Sequence, residues 1–137
     1  MSRWLNWLRR KPLPLGLRGE RYAARWLRKL GYKIVAGGAG SNYGEIDLVA
    51  VDHETVVFVE VKTRQSHAMG HPAAAVDLAK QRHIVRTALA FLKEHHLLEY
   101  RARFDVVALT WPKGARRPRV EHIPNAFEPE DRGQFFV

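Results

Sequence analysis

Asp47, Glu60 and Lys62 are the residues of this chain whose types and spacing suit chemistry. Asp47 lies in the run Glu45 to Val51 (EIDLVAV), and Glu60 and Lys62 lie in Val56 to Arg64 (VVFVEVKTR). Both runs are rich in β-branched residues, and the polar stretch Asp52 to Thr55 separates them, so they predict a β-hairpin. With Val51 paired to Val56 across that loop, Asp47 falls opposite Glu60 and Glu45 opposite Lys62. Directly opposed Cβ atoms sit roughly 4.5–5.5 Å apart. Alternation along each strand puts Asp47, Glu60 and Lys62 on one face, with Ile46, Leu48, Ala50, Val57, Val59 and Val61 on the other. Two opposed carboxylates repel unless a cation compensates. Lysine does part of this, and a hard divalent ion with oxygen ligands does it better. Such an ion polarises a phosphoryl oxygen, and Lys62 could orient water or neutralise charge on the phosphate, a minimum kit for phosphodiester hydrolysis.

An isolated Glu-x-Lys on a strand is ordinarily a solvated ion pair worth under about 1 kcal/mol. Here Val49, Val51, Val56 and Phe58 share the charged face, so the hairpin is apolar on both sides, as buried central strands are. Its charges gather at one end only.

The flanking sequence supplies the elements that must hold this hairpin. Leu17, Glu20, Ala24, Leu27 and Leu30 predict a helix from about Leu17 to Leu30, stopped by Gly31. Tyr32 to Val35 predicts a strand, and residues 36–44 (AGGAGSNYG) a glycine-rich loop. A second helix is expected from about Asp77 to His95, with Leu78, Val85, Ala88 and Leu92 buried, helped by Ile84 and Leu89. Arg103 to Leu109 and Val120 to Ile123 predict two more strands. The order helix, three strands, helix, strand, strand predicts an α/β layered domain with a central mixed sheet flanked by helices. Residues 17–137 are expected to form one domain, preceded by a basic arm over residues 1–16.

Two polar residues fall inside apolar helical stripes and need partners. Glu20 is expected to be a third acid near the ion, directly or through water. Gln81 either bonds locally or reaches the hairpin site. Basic residues cluster at Arg3, Arg9, Arg10 and Lys11, at Arg64, Lys80, Arg82 and Arg86, and at Lys113, Arg116, Arg117 and Arg119. The second group lies near the site, where Arg64, Lys80 and Arg82, with Gln81, would contact substrate phosphates. Trp111 beside the third group either packs or stacks on an unpaired base.

The segments Gly19-Glu20, Gly44-Glu45-Ile46-Asp47-Leu48, Val57 to Arg64 and Arg103 to Val107 together resemble the YraN-like family of bacterial proteins. That family is similar to the PD-(D/E)xK nucleases and, among them, to archaeal Holliday-junction resolvases. The resemblance spans roughly residues 17 to 110. It implies a restriction-endonuclease-like fold with Mg²⁺ or Mn²⁺ held by Asp47, Glu60 and Glu20, and Lys62 as the catalytic lysine. It also implies branched DNA as substrate and a homodimer on symmetric junctions. In that family the loop before Gly44 carries Asn and Arg residues, whereas here it is mostly Gly and Ala, with Asn42 and Tyr43.

Composition bounds the alternatives. The 137 residues carry a formal net charge of +9, which attracts polyanions, nucleic acid first. There is no cysteine, which rules out disulfides and thiolate zinc and fits a cytoplasmic protein. No segment is long and apolar enough to span a bilayer, and the N-terminus lacks the features of a secretory signal. Its Trp4, Leu5, Trp7 and Leu8 could form one short amphipathic turn, expected to dock on the chain's own fold ahead of a partner or a lipid interface. The seven histidines form no HExxH pattern, and no GxxxxGK[ST] or GxSxG motif is present. His67 and His71 fall in the loop after the Glu-Val-Lys strand. Beside the nuclease expectation stand two others, a nucleic-acid-binding module that does not cut and a protein-interaction subunit.

Overall fold

The structure is a computed structural model that describes residues 13–37, 46–66 and 76–129. The N-terminal tryptophans, most of the glycine-rich loop, Glu45, His67 and His71 lie outside the described residues. The elements are α1 (Leu15–Lys29), β1 (Lys33–Gly37), β2 (Leu48–Asp52), β3 (Thr55–Arg64), α2 (Leu78–Glu94), β4 (Arg101–Thr110) and β5 (Arg119–Phe127). They follow the predicted order. The sheet is mixed, with strands in the order β1-β2-β3-β4-β5. Only β3 and β4 run parallel, and α2 provides the crossover that a parallel pair requires.

The helices cover opposite faces of the sheet. Ala23, Ala24 and Leu27 of α1 pack on Leu48, Ala50, Val57, Val59, Val107 and Leu109. Ile84, Ala88, Phe91 and Leu92 of α2 pack on Val49, Val56, Phe58, Phe104 and Val106. Alternate strand residues thus feed two separate cores, and each large side chain so buried contributes about 1.5–3 kcal/mol. Phe58 lies edge-on to Phe91 and stacks on Phe104, with centroids 5.8 and 5.7 Å apart.

Local chemistry sets the helix limits. α1 starts at Leu15, two residues earlier than predicted, because Pro14 presets its first turn and its carbonyl accepts from Arg18 N–H at 3.0 Å. Gly31, at φ 99°, turns the chain so that Tyr32 N–H returns to the Leu27 carbonyl at 3.1 Å. Leu30 therefore lies past the last turn and is exposed rather than buried. α2 starts at an Asp77 cap whose Oδ1 accepts from Lys80 N–H at 2.8 Å. Of its predicted stripe Ile84, Ala88 and Leu92 are buried and Val85 and Leu89 half-buried, whereas Leu78 is exposed and Phe91, which was not predicted, is inside. Leu78 belongs to the first turn, ahead of the level at which α2 meets Phe58 and Phe104.

The hairpin keeps its predicted register. Val51 pairs with Val56 and Leu48 with Val59, and Asp52↔Thr55 adds one more pair. The turn is thereby reduced to His53 and Glu54, with His53 left-handed at φ 54°. Two expectations are corrected. β2 begins at Leu48, not Glu45. Ile46 belongs with Val49 and Phe58 on the α2 side, not with Leu48. Both have one cause: alternation holds only inside the ladder, and the ladder stops at Leu48.

Candidate active site

That stop opens the sheet. β3 continues to Arg64, paired only with β4 beyond Val59. Asp47 fills the break, its Oδ2 accepting from Val61 N–H at 2.8 Å. A side-chain oxygen thus takes a donor that lies past the last backbone pair, and the Asp47 carboxylate is fixed beside Glu60. Two glycines permit this approach. At Gly37, with φ 132°, an added Cβ would stand 2.5 Å from the Asp47 carbonyl oxygen, so no other residue fits there. At Gly19 an added Cβ would collide with the Thr63 side chain. The bare Gly19 backbone lets α1 lie against β3 and sets Glu20, the next residue, beside the break.

Three acids therefore converge from three elements. Glu20 comes from α1, Asp47 from the broken end of β2, and Glu60 from the α2 face of β3. Asp47 lies close to both Glu20 and Glu60. Burial, first, and the charge of Glu60, second, push the Asp47 carboxyl up to about 8. Glu20 is also raised, mainly by burial. At neutral pH the cluster thus holds a proton that a cation would displace.

Glu60 is 4 % exposed, and its two oxygens differ. Oε1 receives both lysines, Lys80 Nζ at 2.6 Å and Lys62 Nζ at 3.4 Å. Oε2 is buried and has no hydrogen-bond partner among the described residues. A buried carboxylate oxygen without a donor is costly and calls for an explanation, an ion included. Burial and then the neighbouring Lys80 depress Lys62. Burial also acts against charge on Lys80, but the hydrogen bonds to Glu60 and Lys62 outweigh it and leave Lys80 raised. Lys80 thus keeps its proton, and Lys62 is the amine able to exchange one.

The donor set fits Mg²⁺ or Mn²⁺ in one respect and limits it in another. Mg²⁺ takes one or two carboxylates and retains water, which Asp47 and Glu60 satisfy. Among the described residues no three of His, Asp or Glu are set to hold an ion together, so Glu20 stands beside Asp47 rather than completing a cage.

The remaining sequence-selected residues divide. Lys80 joins the cluster, more intimately than a phosphate contact would. Gln81 does not: its Nε2 donates to the Val76 carbonyl at 3.0 Å, within its own helix start. Arg82 is exposed and lines a separate groove with Gln81, Val85 and Glu128. Arg64, half-buried, ends β3 on the side of Lys62 and holds Trp111 N–H through its carbonyl at 2.7 Å. Trp111 packs: it is buried, Arg18 covers its ring at 4.3 Å, and its Nε1 donates to the Ala115 carbonyl at 2.9 Å. It offers no face to a base.

Sequence reasoning missed a second polar network on the α1 face. Asp105 is fully buried between Arg103, with Nε 3.0 Å from Oδ1, and His122, with Nε2 2.7 Å from Oδ2. Asn125 N–H adds a bond at 2.9 Å, where β5 bulges. Arg103 also reaches Tyr32 Oη at 2.6 Å and Asp52 Oδ2 at 3.2 Å. Burial would raise Asp105, but its bonds to His122 and Arg103 prevail and hold it below the usual carboxylate range. The spacing Arg-x-Asp in a strand was the available signal, since both side chains share one face.

A family model described as uncharacterised protein family UPF0102 matches residues 19–109. A UPF0102 protein of Geobacter sulfurreducens is 48% identical over 114 residues, covering 83% of this chain and 88% of that protein. A UPF0102 protein of Rhodopirellula baltica is 48% identical over 116 residues, covering 82% and 70%. One from Geobacter metallireducens is 46% identical over 114 residues, covering 83% and 92%. The matched span contains Gly19, Glu20, Asp47, Glu60, Lys62, Lys80 and Asp105.

Proposed function

This chain belongs to the UPF0102 family, and from that premise we propose that it is a metal-dependent endonuclease hydrolysing phosphodiester bonds in DNA. The observation that carries the proposal is the buried, unpartnered Oε2 of Glu60 beside an Asp47 carboxyl raised to about 8. Asp47 and Glu60 would hold Mg²⁺ or Mn²⁺, which when bound supplies Lewis-acid chemistry to a phosphodiester.

The chain's own groups do the rest. Lys80 fixes the Glu60 carboxylate through Oε1 and leaves Oε2 for the ion. Lys62, lowered by burial and by Lys80, orients the attacking water or gives a proton to the charge developing on phosphate. Glu20 accepts from Asp47 and relays to solvent the proton that must leave that carboxyl. Branched DNA as substrate, and a homodimer acting on symmetric junctions, follow from the resolvase resemblance and belong to the same proposal.

A second reading, a nucleic-acid-binding module that does not cut, draws support from Lys80, whose ammonium already neutralises part of Glu60. Incubation of branched, duplex and single-stranded DNA with Mg²⁺ and with Mn²⁺ separates the two. Cleavage is expected, reduced at least roughly a hundredfold in Asp47→Ala and in Lys62→Ala. Cleavage unchanged in both variants rules out the assigned site, and salt-sensitive binding with no cleavage supports the second reading.

A further inference from the structure

α1 carries a charge pattern that no carboxylate among the described residues balances. Arg18, Arg21, Arg25 and Arg28 follow one another at spacings of three, four and three residues, which places them along one stripe of the helix, and Lys29 follows Arg25 by four. The single acid of α1, Glu20, turns to Asp47. Like charges at these spacings destabilise a helix unless something outside it compensates. Arg116 and Arg117 add two more cations across a cavity of about 390 Å³ lined also by Arg25 and Lys29. Arg21, Arg25, Arg28, Lys29, Arg116 and Arg117 are all exposed, and among the described residues none is paired with a carboxylate.

The stripe leads to the acid cluster. A cleft of about 650 Å³ on the other flank of α1 is lined by Arg18, Arg21, Arg25 and Arg28 and reaches Glu20. The two concavities share Arg25 and Trp111. From Arg18 to Arg28 the helix rises about 15 Å. Duplex DNA presents a phosphate charge about every 1.7 Å of its axis, so a stripe of that length faces several phosphates.

The aromatic residues decide between duplex and single strand. Binders of single strands pair a cationic groove with open aromatic platforms. Here Trp111 is buried beneath Arg18, Tyr22 meets its edge at 5.5 Å, and Trp26 is edge-on to His122 at 5.5 Å. The rings that line the smaller cavity, Tyr22, Trp26 and Trp111, are each already engaged within the fold, Tyr22 also lying under Arg25 at 5.9 Å, which suits a backbone whose bases are already paired.

We propose that the outer face of α1, with Arg116 and Arg117, is a track for the phosphate backbone of a double-stranded nucleic-acid arm leading away from the acid cluster. The proposal rests on the nuclease reading in taking the polyanion to be nucleic acid. The test uses the full chain in EDTA, so that cleavage plays no part, with fluorescence anisotropy of a short labelled duplex across a salt series. Arg21→Gln/Arg25→Gln/Arg28→Gln is expected to weaken binding at least about tenfold and to reduce the log–log salt slope by about 2–3. The matching triple lysine variant keeps the wild-type slope, and Arg116→Gln/Arg117→Gln lowers it by about 1–2. Circular dichroism of each variant checks that these exposed substitutions leave the fold intact.

A triple glutamine variant with wild-type affinity and slope overturns the track. Tighter, equally stripe-dependent binding of the single strand overturns its assignment to duplex. Stripe-dependent binding to phosphatidylglycerol vesicles with no duplex binding overturns nucleic acid as the partner. Stripe-dependent duplex binding in a protein that cuts nothing with Mg²⁺ or Mn²⁺ upholds the track and removes only the nuclease reading.

Discussion

Lys80 Nζ stands 2.6 Å from Glu60 Oε1, closer than Lys62 Nζ at 3.4 Å to the same oxygen. Two ammonium groups on one carboxylate oxygen leave the other oxygen bare, and they split the work between themselves. The nearer lysine holds the acid in place, and the farther one, depressed by burial and by its neighbour, is free to exchange a proton. No described helix of the chain is long and apolar enough to cross a membrane.

Removing Lys80 should therefore alter Lys62 as well as Glu60. In Lys80→Met the repulsion on Lys62 disappears and its pKa rises toward the ordinary lysine range. The alkaline limb of the pH–rate profile is expected to move upward, with activity at neutral pH down about tenfold. A pH–rate series on the two proteins checks this. A Lys80→Met profile that falls in height without moving would place Lys80 in a merely structural role.

Asp47 makes the metal-free protein pH-sensitive. Its carboxyl sits at about 8 in the fold against an ordinary value of 3.8. Between those values the folded chain binds more protons than the unfolded chain, so folding stability falls as pH rises through that window. The melting temperature of EDTA-treated protein should drop by several degrees between about pH 5 and pH 8. Asp47→Asn should flatten that slope, and Mn²⁺ should restore the wild type most at the alkaline end. Thermal melts at a series of pH values, with and without metal, read all three.

Gly19 holds α1 against Thr63. Gly19→Ala pushes the helix off β3 and carries Glu20 away from Asp47. Overpacking of this kind costs about 1–3 kcal/mol. The melting temperature is expected to fall accordingly. Activity per folded molecule should fall too, whereas Gly16→Ala, which meets open space within the same helix, leaves activity unchanged and does not lower the melting temperature. Full activity in folded Gly19→Ala would detach Glu20 from the chemistry.

The Arg103–Asp105 pair should matter for stability alone. Arg103→Ala leaves a fully buried carboxylate with only His122 and the Asn125 N–H, and breaking such a pair costs about 3–5 kcal/mol. The melting temperature should fall by more than about 10 °C. Asp105 is held below its usual range, so its contribution is present above that range and disappears in acid. An acid melt in which wild type and Arg103→Ala converge would bear this out, and parallel curves would contradict it.

The hairpin was legible because its signals are local. A short polar spacer between Val51 and Val56 sets the register, which directs Asp47 toward the Glu60 end of β3, although the predicted Asp47–Glu60 pair itself does not form because the ladder stops at Leu48. The element order followed from hydrophobic period alone. What escaped lies at breaks and across layers. Ile46 changes face because Asp47 ends the ladder, and no period announces where a ladder ends. Lys80 meets Glu60 across a helix–sheet contact, so its basic neighbours in sequence suggested phosphate instead. The arginines of α1 were hidden by spacing, since a stripe along a helix never appears as a run. Gln81 fell in an apolar stripe but found its partner one turn away at Val76, as polar residues near helix starts often do.

The most direct test of the central claim is a calorimetric titration of Mn²⁺ into the metal-free protein near neutral pH, repeated in buffers of different ionisation heat. One saturable site is expected, with release of close to one proton, and both are lost in Asp47→Asn and in Glu60→Gln. Absence of binding in the wild type, or binding undisturbed by either substitution, would contradict a divalent ion held between Asp47 and Glu60.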